Sequence, residues 1–212
     1  QIEPDHAAAH FLLGVVQAKE KQPDEAVKQF QQVLRISPEN VEAIYLLGQT
    51  YQQQNKATEA AAQYERLVEL KPEHLGARYR LGFLRQREGK PGQAAEQYRK
   101  VLEHTPNNLA VANSLAWILA TSDDPQLRNA NEALDWARKC AKATDHKQVG
   151  ILLTLAAACA EAGQFEEAQK WQAKAIQLAP AAAQKELQSV LELYKASKPY
   201  REKKDAQPAP AP

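Results

Sequence analysis

The stretch "VEAIYLLGQTYQQQNKATEAAAQYERLVELKPEH", residues 41–74, decides the fold. Its apolar residues fall at helical spacing, break near Asn55, and fall at helical spacing again. That pattern is a helix pair, A then B. Asn55 tolerates the left-handed backbone that closes helix A. Pro72 stops helix B and sets the turn to whatever follows.

Outward from this stretch the same letters return in step. Pro4, Pro38, Pro72 and Pro106 stand 34 residues apart, as do Leu13, Leu47, Leu81 and Leu115. Gly14, Gly48 and Gly82 keep the step, with Ala116 in the fourth place. Ala26, Ala60 and Ala94 keep it too, followed one turn later by Phe30, Tyr64 and Tyr98. The glycines of helix A are expected to face the alanines of helix B, so that the two backbones approach closely. Asn55, Gly89 and Gly163 are expected to end their A helices in the left-handed region. One helix pair cannot bury its own apolar stripe, so neighbours must stack.

These columns resemble the tetratricopeptide-repeat family: Leu-Gly in helix A, Ala then an aromatic in helix B, a closing Pro, and a 34-residue period. The resemblance covers residues 1 to about 180. The family's early Trp is missing, with His10, Ile44 and Arg78 in its place. The resemblance implies an all-α fold, a right-handed superhelical solenoid of helix-turn-helix repeats. The expected units are 7–40, 41–74, 75–108, 109–148 and 149–182, with residues 1–6 as the end of a preceding repeat. A C-terminal capping helix is expected over 183–199, laying Leu187, Val190, Leu191 and Tyr194 on the last repeat. Residues 200–212, ending in "QPAPAP", are expected to form a disordered Pro/Ala-rich tail.

The fourth unit is longer than its neighbours, and the surplus lies between its two helices. "TSDDPQLRN", residues 121–129, holds strong turn formers before and at Pro125. Asn131 is expected to cap the second helix, "EALDWARKCAKA". A calcium loop would need more oxygen ligands at set spacing and a sharp-turn glycine, which are missing. The reading is a longer elbow, with Asp124 or Ser122 bonding backbone amides and Arg128 pairing with an aspartate. "LAWILATSDDPQLRN", with "LELYKASKPYRE" near the end, resembles a variant end module of bacterial repeat arrays. Such modules are often attached to secreted or membrane-linked proteins. The resemblance therefore favours a bacterial periplasmic or membrane-associated complex over the cytoplasm.

Composition excludes several function classes. A formal net charge of +1 gives no global field toward nucleic acid or a membrane surface. No apolar run reaches the roughly 18 residues of a spanning helix, so direct membrane insertion is not expected. The chain contains no Met, which points to a processed form or a piece of a longer chain. His6 and His10 share a helix face and could in principle share zinc, but no third ligand is evident, so a surface pair is expected. His74, His104 and His146 fall near unit ends and are expected to be solvated. Cys140 and Cys159 read either as buried thiols or as a disulfide between adjacent helices. No haem motif, phosphate loop or nucleophile elbow is present. A non-enzymatic chain without a cofactor is expected.

In the family that the chain resembles, the concave surface is lined by A helices and grips peptides or partner helices. The fifth A-helix positions hold Phe11, Tyr45, Tyr79 and Asn113. Arg80 and Arg87 lie seven apart on one face, beside Gln49 and Gln52, and Phe83 and Trp117 complete the candidate partner-binding set. Aromatics and arginine are enriched at binding hot spots. The alternative is that the rings pack between repeats while the arginines pair with Glu42 or Glu88. Of the positions matching the carboxylate clamp of chaperone-tail binders (Phe11, Val15, Leu46, Gly76, Arg80), only Arg80 fits. The expected function is a protein-interaction scaffold holding a peptide or partner helix. A structural subunit using its outer faces, and the non-catalytic repeat region of an enzyme such as a glycosyltransferase, stay open. A second stripe, Arg78 and Arg85, replaces packed apolar columns and marks either loose packing or a subunit contact.

Overall fold

The computed structural model describes residues 4–202. These form eleven α-helices and no strand. The chain divides into two compact units, Gln1–Arg85 and Gln86–Pro212.

The first unit holds α1 (Pro4–Lys19), α2 (Pro23–Ile36), α3 (Val41–Gln53), α4 (Ala57–Leu70) and most of α5 (Leu75–Arg87). Its helices begin and end for local reasons. The Asn40 Oδ1 accepts from the Ala43 amide at 2.9 Å, capping α3. The His74 Nδ1 accepts from the Ala77 amide at 3.0 Å and caps α5. His74 is thus half-buried and bonded, not solvated as expected. Asn55 closes α3 at φ 58° and Lys21 closes α1 at φ 61°. Behind each, an amide reaches back to the helix: Lys56 N to the Tyr51 carbonyl and Gln22 N to the Gln17 carbonyl, both at 2.9 Å. Gly89 and Gly163 also take the left-handed conformation, as expected.

Two apolar clusters fill this unit. Ala26, Phe30 and Leu47 form one, joined by Phe11, Val15 and Leu46. Ile44, Ala60, Tyr64, Leu67, Ala77, Leu81 and Leu84 form the other, joined by Tyr45 and Phe83. The groups nearest Gly14 and Gly48 are rings rather than the expected alanines. A Cβ on Gly48 would lie 2.7 Å from the Tyr64 ring, and one on Gly14 would lie 2.9 Å from the Phe30 ring. The glycines face the aromatics one turn beyond the alanines, because a flat ring fills the space between two close backbones. Gly48→Ala is therefore expected to destabilise by about 1–2 kcal/mol, overpacking outweighing the helix propensity gained. A urea-unfolding midpoint at or above that of the native chain would contradict this contact.

Arg78 and Arg85 are engaged inside the unit. Arg78 Nε donates to the Pro72 carbonyl at 2.6 Å, and Arg85 pairs with Glu65. On α1, Leu12, Leu13 and Val16 are 65%, 45% and 47% exposed, whereas Leu47, one repeat on from Leu13, is 3% exposed. Helix α1 begins at Pro4, so residues 4–6 belong to it rather than to a preceding repeat. Proline is tolerated in a first helical turn. Residues 1–3, expected to end that repeat, and 203–212, expected to form most of the tail, lie outside the described residues.

The second unit holds α6 (Pro91–His104), α7 (Leu109–Thr121), α8 (Ala130–Ala143), α9 (Val149–Glu161), α10 (Phe165–Leu178) and α11 (Ala181–Lys195). Helix α7 packs against α6, α8 and α9, and α9 packs against α7, α8 and α10. Both are therefore apolar nearly all round. Cys140 and Cys159 are free and buried, and burial pushes both thiols up to about 11. His146 stacks on Trp171 with ring centroids 4.9 Å apart. Helix α11 buries Leu191 and Tyr194. Gln172, itself buried, donates to the Leu187 carbonyl at 2.8 Å. The helix stops at Lys195, short of the expected 199, because Ser197 turns left-handed at φ 55°.

Candidate interaction surface

In the first unit the structure brings Tyr45, Gln52 and Arg80 together. Helix α3 presents Tyr45 and Gln52, and α5 presents Arg80. Arg80 Nε donates to the Tyr45 hydroxyl at 3.0 Å, and its Nη1 donates to Gln52 Oε1 at 3.2 Å. The Tyr64 hydroxyl donates to the same Gln52 oxygen at 2.7 Å. The guanidinium lies 5.6 Å from the Tyr45 ring centroid. The Tyr45 ring also packs against His74 at 5.0 Å and Tyr64 at 5.9 Å. Burial holds the Tyr64 phenol well above its ordinary pKa, so it remains a donor.

Arg80 is half-buried, and both of its acceptors are neutral. Among the described residues no carboxylate pairs with it. Burial opposes its charge, but the Tyr45 hydrogen bond and the neighbouring phenols outweigh that and raise its pKa. A guanidinium held this way has N–H donors beyond the two that Tyr45 and Gln52 accept.

The other expected residues are placed differently. Phe11 packs on Phe30 at 6.2 Å and Phe83 packs against the second cluster, so both serve the core. Gln49 and Tyr79 are half-buried, and Arg87 is exposed. Asn113 is 4% exposed and does not line an open surface, because α7 is enclosed by its neighbours. Its Oδ1 has no hydrogen-bond partner among the described residues.

Trp117 is covered from an unexpected direction. Its indole Nε1–H donates to Glu202 Oε2 at 2.9 Å, and its ring meets Tyr200 at 5.8 Å. The Glu202 amide donates to the Thr121 carbonyl at 2.9 Å. Arg201 donates to the Ala120 carbonyl at 3.2 Å and pairs with Glu161 at 2.5 Å. The expectation of a disordered tail from residue 200 is thus corrected for Tyr200, Arg201 and Glu202. Burial raises the Glu202 carboxyl above its ordinary pKa, and the Trp117 hydrogen bond opposes that.

The elbow beside it is built mostly from its own polar groups. Ser122 Oγ accepts from the Asp124 amide at 3.2 Å, and Asp124 Oδ1 accepts from the Gln126 amide at 2.9 Å. Arg128 donates to the Ser122 carbonyl at 3.1 Å and to Glu161 at 3.0 Å. The acid it meets is thus a glutamate on α9, while Asp123 offers it a backbone carbonyl at 3.3 Å. Asn129, rather than Asn131, caps α8, accepting from the Glu132 amide at 3.2 Å.

Family models described as tetratricopeptide repeat match residues 17–81, 53–118 and 149–182. The chain belongs to the tetratricopeptide-repeat family. Its all-α repeat-solenoid fold has solved counterparts. A tetratricopeptide repeat protein from Parabacteroides merdae is 16% identical with a TM-score of 0.75, covering 91% of this chain and 75% of that one. A MamA protein is 18% identical with a TM-score of 0.71, covering 83% and 93%. YrrB, a repeat protein described as having an unusual peptide-binding site, is 17% identical with a TM-score of 0.71, covering 81% and 86%. At these identities the likeness is one of fold. No curated protein matches the chain significantly by sequence.

Proposed function

We propose that this tetratricopeptide-repeat chain is a non-enzymatic interaction scaffold whose first unit binds an extended, carboxylate-bearing peptide segment of a partner protein. The observation that carries this is Arg80, a half-buried guanidinium held by the neutral acceptors of Tyr45 and Gln52. An incoming carboxylate would meet a cation already oriented, so little side-chain entropy is lost on binding. The Tyr45 ring and Gln49 supply stacking and amide contacts along the same helix. YrrB, with its peptide-binding site on the same fold, makes this use physically reasonable.

A second reading has its own observation. The apolar face of Leu12, Leu13 and Val16 on α1 is exposed where the equivalent Leu47 is covered. A structural subunit would use that face.

One experiment separates the two. A quantitative pull-down from source-cell extract compares the native chain with a folded variant carrying Tyr45→Ala, Tyr79→Ala and Arg80→Glu. A partner captured by the native chain and lost by the variant supports the groove. A partner captured equally by both removes the Arg80 reading and places contact elsewhere, on the α1 face or in the second unit.

A further inference from the structure

Helix C-termini leave their last carbonyls without intrahelical donors. In α3 the turn that follows supplies donors: Lys56 N reaches the Tyr51 carbonyl at 2.9 Å and Asn55 N reaches Gln52 at 3.0 Å. In α9, Gln164 N reaches the Cys159 carbonyl at 2.8 Å and Gly163 N reaches Ala160 at 3.1 Å. Helix α7 differs because the elbow replaces the tight turn. Its Ile118 carbonyl accepts from Ser122 N and its Leu119 carbonyl from Asn129 N, both at 3.1 Å. The next two carbonyls, Ala120 and Thr121, receive their donors from Arg201 and from the Glu202 amide. The inserted elbow therefore opens two acceptors, and a distant segment fills them.

That segment is held as a peptide ligand is held. It has no secondary structure of its own. One backbone amide bonds a receptor carbonyl, an aromatic ring meets an aromatic ring, a guanidinium meets Glu161, and a carboxylate meets an indole N–H. The receptor groups all come from α7 and α9, and Arg128 of the elbow holds Glu161 in place at 3.0 Å.

We propose that the face of α7 and α9 around Trp117 is a second peptide site. Tyr200–Glu202 is its internal ligand. Its external ligand is a partner's extended segment carrying an aromatic ring, then a basic residue, then a carboxylate. This deepens the scaffold reading but uses a separate site from Arg80. The internal segment is a modest competitor, because seating Glu202 takes a carboxylate out of water.

The test uses the full-length chain and a fluorescein-labelled peptide, "SKPYREKK", the sequence of residues 197–204. Fluorescence polarisation compares the native chain with a chain carrying Tyr200→Ala and Glu202→Ala. Disabling the internal ligand is expected to tighten peptide binding by about ten-fold or more, the gain when a site some nine-tenths occupied is vacated. A peptide with alanine for its tyrosine and lysine for its glutamate is expected not to bind. Adding Arg80→Glu to the opened chain is expected to leave binding unchanged, so failure here is distinguishable from failure of the first-unit site. Equal binding by native and opened chains, no binding to the opened chain with its circular dichroism intact, or equal binding of the altered peptide would overturn the proposal.

Discussion

Tyr64→Ala is expected to destabilise the chain by about 3–5 kcal/mol, the range for deleting a fully buried aromatic side chain. Tyr64 is 0% exposed and its ring occupies the space that Gly48 leaves open. Alanine would leave a cavity bounded by two helices that cannot close, since their backbones already approach as nearly as the glycine allows. Tyr64→Phe keeps the ring and loses only the donor to Gln52, so about 1 kcal/mol is expected. The two variants read different things. The first tests whether ring against glycine organises the helix pair. The second tests whether the hydroxyl matters chiefly for positioning Gln52 under Arg80. Urea-unfolding midpoints would check both. A loss below that of Tyr64→Phe in the alanine variant would rule out the packing account.

Glu161→Ala is expected to cost about 2–3 kcal/mol, between the values for exposed and fully buried ion pairs. Its side chain is 13% exposed and faces two guanidiniums, Arg128 at 3.0 Å and Arg201 at 2.5 Å. Removing the carboxylate leaves two cations close together in a poorly solvated place. The elbow should loosen and Tyr200–Glu202 should leave α7. Hydrogen exchange is expected to show lost protection at the Glu202 amide, which donates to Thr121. Arg201→Ala should release the same amide with a smaller loss of stability, because Arg128 and Glu161 stay paired. Retained protection at Glu202 in the Glu161→Ala variant would mean that the carboxylate does not hold the segment.

Much of this architecture is legible in the sequence because repeats write the same physics several times. The 34-residue step marks each helix pair, and Asn55, Gly89 and Gly163 mark left-handed ends that the structure bears out. The cap column Asn40, His74 and Asn108 is equally periodic, yet histidine is an unusual cap and reads as a surface residue. The glycine columns are correctly located, but the groups nearest Gly14 and Gly48 are rings rather than alanines. Spacing shows which residues share a face, and it does not say that the ring one turn beyond Ala60 fills the gap.

The elbow shows the same limit. Counting residues locates the insertion. It cannot show that Arg128 meets Glu161 on α9, or that α7 ends with two carbonyls awaiting donors. Tyr200–Glu202 is hidden for a compositional reason: three residues with specific partners precede a charged, Pro-Ala-rich stretch whose character dominates the reading. The candidate first-unit site is half legible. Tyr45 and Arg80 follow from periodicity, whereas the neutrality of the groups around Arg80 depends on how α3 and α5 pack.

The measurement that bears most directly on the scaffold reading is a selection of random peptides on the immobilised full chain, followed by affinity measurements on Arg80→Gln. The account predicts that first-unit binders carry a carboxylate and lose about ten-fold or more in affinity on Arg80→Gln, the loss of one charge-assisted contact. Binders that protect first-unit amides from hydrogen exchange yet lack a carboxylate, or hold the Arg80→Gln chain as tightly as the native one, would contradict it.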